Sequence, residues 1–175
     1  FLLKTLSDRY KFLKDYNTNP KNLSNSMLEQ SDLNNKSMRF TLKGPLRKDL
    51  VNKIIEGNKN KVIYIDFWAT WCPPCIPELQ ESNKLIEKYQ GQDIKFVFVC
   101  LSDSILAKQK IKELNIGGKH YFCNSVESLF FQNKYGFKSI PHYVLINRNG
   151  TIVDFGSSLR PSNPRTVEKI DKLLK

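Results

Sequence analysis

Two cysteines separated by two prolines, Cys72-Pro73-Pro74-Cys75, sit inside the segment DFWATWCPPCIPE, with one carboxyl upstream at Asp66 and another downstream at Glu78. The thiolate is the attacking form of cysteine, and a second thiol one helical turn away can close a disulfide with little backbone movement. The pair suits making and breaking one S–S bond. Half a zinc site and two inert thiols are the other readings of this spacing. Structural zinc needs four ligands. The remaining cysteines and histidines, Cys100, His120, Cys123 and His142, supply neither a second C-x-x-C nor an H-x₃₋₅-H, although His120-x-x-Cys123 is a faint partial match. Redox chemistry is therefore the expectation, and no metal site is assigned.

The pair must be placed by the elements around it. KVIYIDFW reads as a strand, Cys72 to about Tyr89 as a helix along Ile76, Leu79, Leu85, Ile86 and Tyr89, and IKFVFVCL as a second strand. That is a βαβ unit, which implies parallel strands with helices on their faces. Cys72 then falls where strand gives way to helix, near unpaired backbone N–H groups and the positive end of the helix dipole, both of which favour a thiolate. Pro73 and Pro74 remove N–H groups that a first turn could not pair anyway. Further along, a helix over about Ser104–Leu114, a short strand HYFC and a helix over about Val126–Tyr135 are expected. HYVLI and TIVDF flank Asn147-Arg148-Asn149-Gly150, a hairpin turn, and Asn163-Pro164 opens a last helix with Val167, Ile170, Leu173 and Leu174 inward. On the N-terminal side, Leu3, Leu6, Tyr10 and Leu13 recur at helical spacing, a polar linker follows, and Met38, Phe40 and Leu42 alternate as in a strand. Gly44-Pro45 then turns into a helix through Leu46, Leu50, Val51, Ile54 and Ile55, with Gly57 as its cap.

Composition limits what the chain can be. Its 175 residues, 40% hydrophobic and 11% aromatic, suffice for one substantial core. Apolar runs such as Val62-Ile63-Tyr64-Ile65 fall far short of the roughly 20 residues that span a bilayer. The net charge of +11 raises the question of nucleic acid. Residues 1–60 carry 12 basic and 6 acidic side chains, residues 61–175 carry 16 and 11, and no basic run or aromatic-basic interleaving occurs. No nucleic-acid partner is expected, and the excess reads as a solvated basic surface. FLLKTLSDRY meets charge too soon for a signal-peptide core, so the chain reads as a processed product, with room for a membrane or lipid anchor in a precursor.

DFWATWCPPC resembles the active-site segment of the thioredoxin superfamily. Within it the chain is similar to the TlpA/ResA-type extracytoplasmic thiol-disulfide oxidoreductases of bacteria. Glu78 three residues after Cys75, the helix and strand inserted before the final hairpin, and KSIPHYVLINRNGTIV carry the narrower likeness, which covers roughly residues 37–175. Pro77 inside the helix and the basic entry RFTLKGPLRKDL depart from the pattern. The resemblance implies a thioredoxin-like α/β fold over 37–175: a central mixed β-sheet flanked by helices, with an inserted helix-strand. Residues 1–36 would form an N-terminal helical extension and linker. It also implies that Ile140-Pro141 is a cis-proline loop facing the dithiol and binding substrate backbone. From sequence alone an X-Pro bond would be taken as trans, since cis occurs in only about 5–6% of cases. Trp71 would flank the Cys72 sulfur, and Pro73 and Pro74 would join it in contacting substrate.

The two carboxyls fit this chemistry. An ionised Asp66 in a strand covered on both faces would cost several kcal/mol, so its proton affinity should rise. Glu78 lies on the helical face of Cys75, and both acids would take or relay the Cys75 proton. The expected function is reduction of protein disulfides, Cys72 attacking and Cys75 resolving. The disulfide itself would be the only redox group, fed by an upstream thiol reductant in a periplasmic or otherwise extracytoplasmic compartment. A non-catalytic peptide-binding module is the alternative. A thiol peroxidase is a weaker one, because the threonine it needs three residues before its cysteine is Ala69. Cys100 and Cys123 read as buried thiols, with a second disulfide left open, and His120 and His142 as structural.

Overall fold

The computed structural model describes residues 50–102 and 104–175. The expected N-terminal helix, the linker to residue 36 and the strand through Met38, Phe40 and Leu42 lie outside them. The described part begins with α1 (Leu50–Glu56), whose Leu50, Val51 and Ile54 are buried. Gly57 donates its N–H to the Lys53 carbonyl at 2.9 Å, and the left-handed residue of this connection is Asn60, with φ 63°. The expected cap is thus a closing hydrogen bond at Gly57, while the positive φ falls three residues later on an asparagine, which tolerates it.

Next come β1 (Val62–Trp68), α2 (Cys75–Lys88), β2 (Ile94–Cys100), α3 (Ser104–Glu113), β3 (Lys119–Phe122) and α4 (Ser125–Lys134). The hairpin β4 (His142–Ile146) and β5 (Ile152–Gly156) leads through a 3₁₀ turn, Ser157–Leu159, to α5 (Pro164–Leu174). The sheet order is β3-β2-β1-β4-β5. Strands β1, β2 and β3 run parallel, whereas β4 is antiparallel to both β1 and β5. This is the mixed, helix-flanked sheet the residues imply, with α3 and β3 as the inserted pair. Gly118 opens β3 at φ +83°, where a Cβ would meet the Phe96 carbonyl at 2.8 Å, so only glycine lets β3 approach β2 so closely.

All seven residues of β1 are buried. Alternation sends Val62, Tyr64 and Trp68 into one core with α2 and α5, and Ile63, Ile65 and Phe67 into another with α1 and α4. Asp66 shares the parity of Tyr64 and Trp68. It therefore points into the core that contains Cys72, Cys75 and Leu79. Asn163 caps α5 by accepting from the Arg165 N–H, and Ile170 is fully buried beneath it.

Candidate active site

The segment between β1 and α2 is tied down by the end of β2. Leu101 donates its N–H to the Trp68 carbonyl at 2.8 Å, and the Ser102 hydroxyl oxygen accepts from the Thr70 N–H at 3.0 Å. That same hydroxyl lies 3.1 Å from the Thr70 hydroxyl and 3.2 Å from the Cys100 sulfur. The turn that follows is held by Cys72 N–H to Ala69 O at 3.2 Å and Cys75 N–H to Cys72 O at 3.0 Å. Cys72 and Cys75 form a disulfide, with Cα atoms 5.3 Å apart.

The helix starts at Cys75, with Pro74 as its N-cap, and not at Cys72 as the periodicity suggests. The reason is the proline pair: without N–H groups at 73 and 74, the chain passes Cys72 as a hydrogen-bonded turn and becomes helical only afterwards. Pro77 is tolerated because the third helical position needs no N–H partner. A second consequence corrects the expectation of several unpaired amides beside Cys72. Of the first four positions, Pro74 and Pro77 have no N–H, and that of Cys75 is donated to Cys72 O. The helix dipole remains to favour a Cys72 thiolate, with little direct donation beside it. Both cysteines are buried in the disulfide form, so exposure alone does not separate their roles. What separates them is the groove.

That groove, of about 320 Å³, is lined on one side by Trp71, Cys72, Pro73 and Pro74, and on the other by Gln132, Lys138, Ser139 and Ile140. Cys72 reaches it; Cys75 lies behind, in the core. Trp71 is 66% exposed, a large apolar side chain standing at the rim. The Ile140-Pro141 peptide bond is cis, as the resemblance implies and the residues alone do not. Lys138 and Ser139 belong to the KSIP segment that carries the resemblance, whereas Gln132 was not foreseen, since nothing local in the sequence marks it and it comes from α4 some sixty residues away.

Asp66 is 1% exposed, and its Oδ1 has no hydrogen-bond partner among the described residues. Burial, and secondarily the charge of Glu78, push its pKa well above the usual carboxylate range. In register it sits opposite Tyr143 on β4 and Phe98 on β2. The Tyr143 hydroxyl and Trp68 Nε1, on the same face, are also buried without a partner among the described residues, as are His120 Nδ1, His142 Nε2 and Arg148 Nε elsewhere. Burial, then the charges of Asp66 and Glu78, raise the Tyr143 pKa, with Arg160 opposing.

Glu78 is buried at 8% exposure, on the α2 face of Cys75 as expected, yet its carboxylate is not idle. Ser162, in the turn before α5, donates its N–H to Oε2 at 3.0 Å and its hydroxyl to Oε1 at 2.7 Å. Sequence reasoning missed Ser162, which stands 84 residues from Glu78.

Cys100 and Cys123 are buried on opposite sides of the sheet, Cys100 in the Tyr64 core and Cys123 in the Phe67 core. That separation removes the option of a disulfide between them. His120 Nε2 lies 3.2 and 3.0 Å from the carbonyls of Ile116 and Gly117, and its ring stacks on Phe98. His142 stacks on Phe137 with centroids 4.3 Å apart. Burial lowers the pKa of both.

A family model described as Redoxin matches residues 35–174. The chain belongs to the Redoxin family. Its relatives within that family include the thiol-disulfide oxidoreductase ResA of Halalkalibacterium halodurans, 29% identical over 108 residues, which cover 61% of this chain and 60% of that protein. The sporulation thiol-disulfide oxidoreductase A of Bacillus subtilis is 29% identical over 107 residues, 57% of this chain and 65% of that one. The chain thus matches less than two thirds of the length of these relatives. Among solved structures, a candidate thiol-disulfide oxidoreductase from Bacteroides vulgatus is 35% identical, with a TM-score of 0.57 over 69% of this chain and 78% of its own. The thioredoxin domain of another Bacteroides vulgatus protein, at 19% identity and TM-score 0.62 over 69% of this chain and 84% of its own, shows the fold. This Redoxin is a thioredoxin-fold protein of the TlpA/ResA type.

Proposed function

We propose that this Redoxin is a thiol-disulfide oxidoreductase that reduces disulfides in protein substrates. The observation that carries the reading is the Cys72–Cys75 disulfide at the start of α2, with Cys72 in the same groove as Ile140 of the cis peptide. An extended substrate would lie against Ile140, Pro141 and Trp71, with Pro73 and Pro74 as the floor. The reduced Cys72 thiolate attacks one sulfur of the substrate disulfide, forming a mixed disulfide and releasing the other sulfur as a thiolate. Cys75 then gives its proton to a carboxyl on the Asp66 side and attacks Cys72, restoring the intramolecular disulfide and expelling the second substrate thiolate. Two electrons pass to the substrate. They come from an upstream thiol reductant, with no other cofactor in the cycle.

The same reading places the protein outside the cytoplasm of a bacterium, in keeping with the type of relative it resembles. No helix among the described residues is long and apolar enough to cross a membrane. It also keeps residues 1–36 as an extension to a domain over 37–175. Insulin reduction by the dithiothreitol-fed protein tests turnover: loss of turnover in the presence of peptide binding would mark a binding module instead. A reduction potential nearer about −270 mV than about −120 mV is expected, the values typical of a reducing thioredoxin and of a strong oxidase. No positive charge stands between the cysteines to overstabilise the thiolate.

A further inference from the structure

The substrate groove has two unlike banks. Trp71, Cys72, Pro73 and Pro74 form an apolar one, whereas Gln132, Lys138 and Ser139 beside Ile140 form a polar one. The three polar side chains are not equally fixed. Lys138 and Ser139 are exposed on the loop before Ile140, and an exposed ammonium on a flexible stem adds little affinity in water. Gln132 is half-buried on α4, and its Nε2 donates to the Ser128 hydroxyl oxygen at 3.2 Å, one helical turn back. Ser128 is itself buried, at 7% exposure, with its backbone N–H bonded to the Asn124 carbonyl at 2.9 Å. The carboxamide is thus anchored before any ligand arrives. A polar pair at this spacing on a helix is commonly no more than a local tie. Here it stands in the wall of the groove that Cys72 reaches, and the amide has hydrogen-bonding capacity left over. The bond to Ser128 uses one of its two N–H donors, so one N–H and the Oε1 carbonyl oxygen remain for a ligand.

We propose that Gln132 is a specificity-determining residue that reads the backbone of a peptide substrate, with Ser128 as the residue that positions it. This rests on the exchange reading above and names its substrate class: disulfides carried on an extended peptide, in preference to small disulfides without amides. In an extended chain the N–H and C=O of one residue point to the same edge, and a carboxamide offers the matching acceptor and donor side by side. Gln132 and Ile140 line the same bank, so they face the same edge of the substrate, and successive residues alternate between edges. The residue that Gln132 reads is therefore an even number of positions from the one against Ile140. Such a contact is indifferent to substrate side chains, so it separates peptide from non-peptide and not one sequence from another. Fixing a long unbranched side chain costs conformational entropy, and Ser128 meets that cost during folding, which leaves less to lose when substrate binds. Gln132 moves no electron and no proton. Its contribution belongs in the half-saturating substrate concentration and not in the limiting rate.

The test uses the reduced whole chain and two probes with the same leaving group: a short linear peptide whose single cysteine is joined by a disulfide to thionitrobenzoate, and mercaptoethanol joined to the same group. Cys72 S⁻ bonds to the peptide or mercaptoethanol sulfur, the probe's S–S bond breaks, and thionitrobenzoate leaves as a coloured thiolate. Half-saturating concentration and limiting rate are read for each probe. In Gln132→Leu, which keeps the bulk and loses the amide, the preference for the peptide probe should fall by about fivefold, carried by half-saturation. Ser128→Ala should act in the same direction at about twofold, and Ser128→Thr, which keeps the hydroxyl, should return the parent preference. Replacing the peptide's amides by esters one at a time removes one N–H each. At one position the ester should weaken binding to the parent by about threefold and leave binding to Gln132→Leu as it was. An unchanged preference in Gln132→Leu, or ester effects of equal size in parent and variant at every position, would reduce Gln132 to a helix-surface tie with Ser128. A parent that releases no thionitrobenzoate from the mercaptoethanol probe would overturn the exchange reading instead, since that probe has no amide for Gln132 to read.

Discussion

The two faces of β1 come from alternate residues of one strand, yet they are built to opposite specifications. On the α1 and α4 side, Ile63, Ile65 and Phe67 meet Phe131, Tyr135 and Phe137, with ring centroids 5.1 to 6.3 Å from Phe67. On the α2 and α5 side, Tyr64, Asp66 and Trp68 place a carboxyl and an indole N–H without a partner among the described residues in the core that holds Tyr143 and the disulfide. One face is packed mostly from aliphatic and aromatic side chains, with the buried His142 ring stacked on Phe137 as its polar member. The other gives up part of that packing to hold polar groups where a proton must move. The strand teaches that a single period-2 alternation can separate stability from chemistry.

The largest expected effect strikes the reactive face. Cys72→Ser should abolish disulfide reduction, and Cys75→Ser should leave a protein that accumulates mixed disulfides through Cys72, seen as adducts on non-reducing gels. Faster alkylation of Cys75 than Cys72 in the reduced protein would reverse the assignment. The apolar face should break differently. Phe67→Ala is expected to lower unfolding stability by about 3–5 kcal/mol in denaturant titrations, while activity per folded molecule changes little. Loss of activity in the folded fraction would show that the faces are coupled.

Asp66→Asn sharpens the contrast because it should move stability and activity in opposite directions. A raised folded pKa means that the native state holds the proton more tightly than the unfolded chain. The stability this contributes is fully present below the unfolded value near 3.9 and is lost as pH rises through the folded pKa. The variant should therefore flatten that decline and unfold at higher denaturant above the folded pKa, while its resolution step slows by about tenfold or more. Parallel pH–stability curves for parent and variant would contradict the burial argument. The smallest effect belongs to the groove. Lys138 is the one charged side chain among the groove residues, so Lys138→Glu should shift preference from acidic to basic peptide disulfides by no more than about fivefold. The shift should fade as salt is added.

Much of this arrangement could be read before any fold was drawn. The alternation in VIYIDFW, the C-x-x-C at its end and the Asn-Gly hairpin are local patterns, and local physics fixes their outcome. The cis bond at Pro141 came from resemblance, because the chemistry of an isoleucine before a proline does not select it. The helix start was misplaced by one turn, since apolar periodicity is blind to missing N–H groups. Ser162 was illegible for a different reason. A serine in a Pro-Ser-Asn-Pro turn is ordinary as a turn residue, and its pairing with Glu78 exists only once α5 has docked beside α2.

The prolines at 73, 74 and 77 carry one more consequence. A helix front with its amides exposed is a docking place for small anions, which would compete with a thiolate for the same positive end. Here three rings occupy the stretch where such amides would stand, and the Cys75 N–H is already engaged by the Cys72 carbonyl. Phosphate and sulfate are left with little to hold. In an anion-rich medium this entrance stays open for sulfur, and the enzyme should turn over at the same rate in phosphate as in a buffer of equal ionic strength without it.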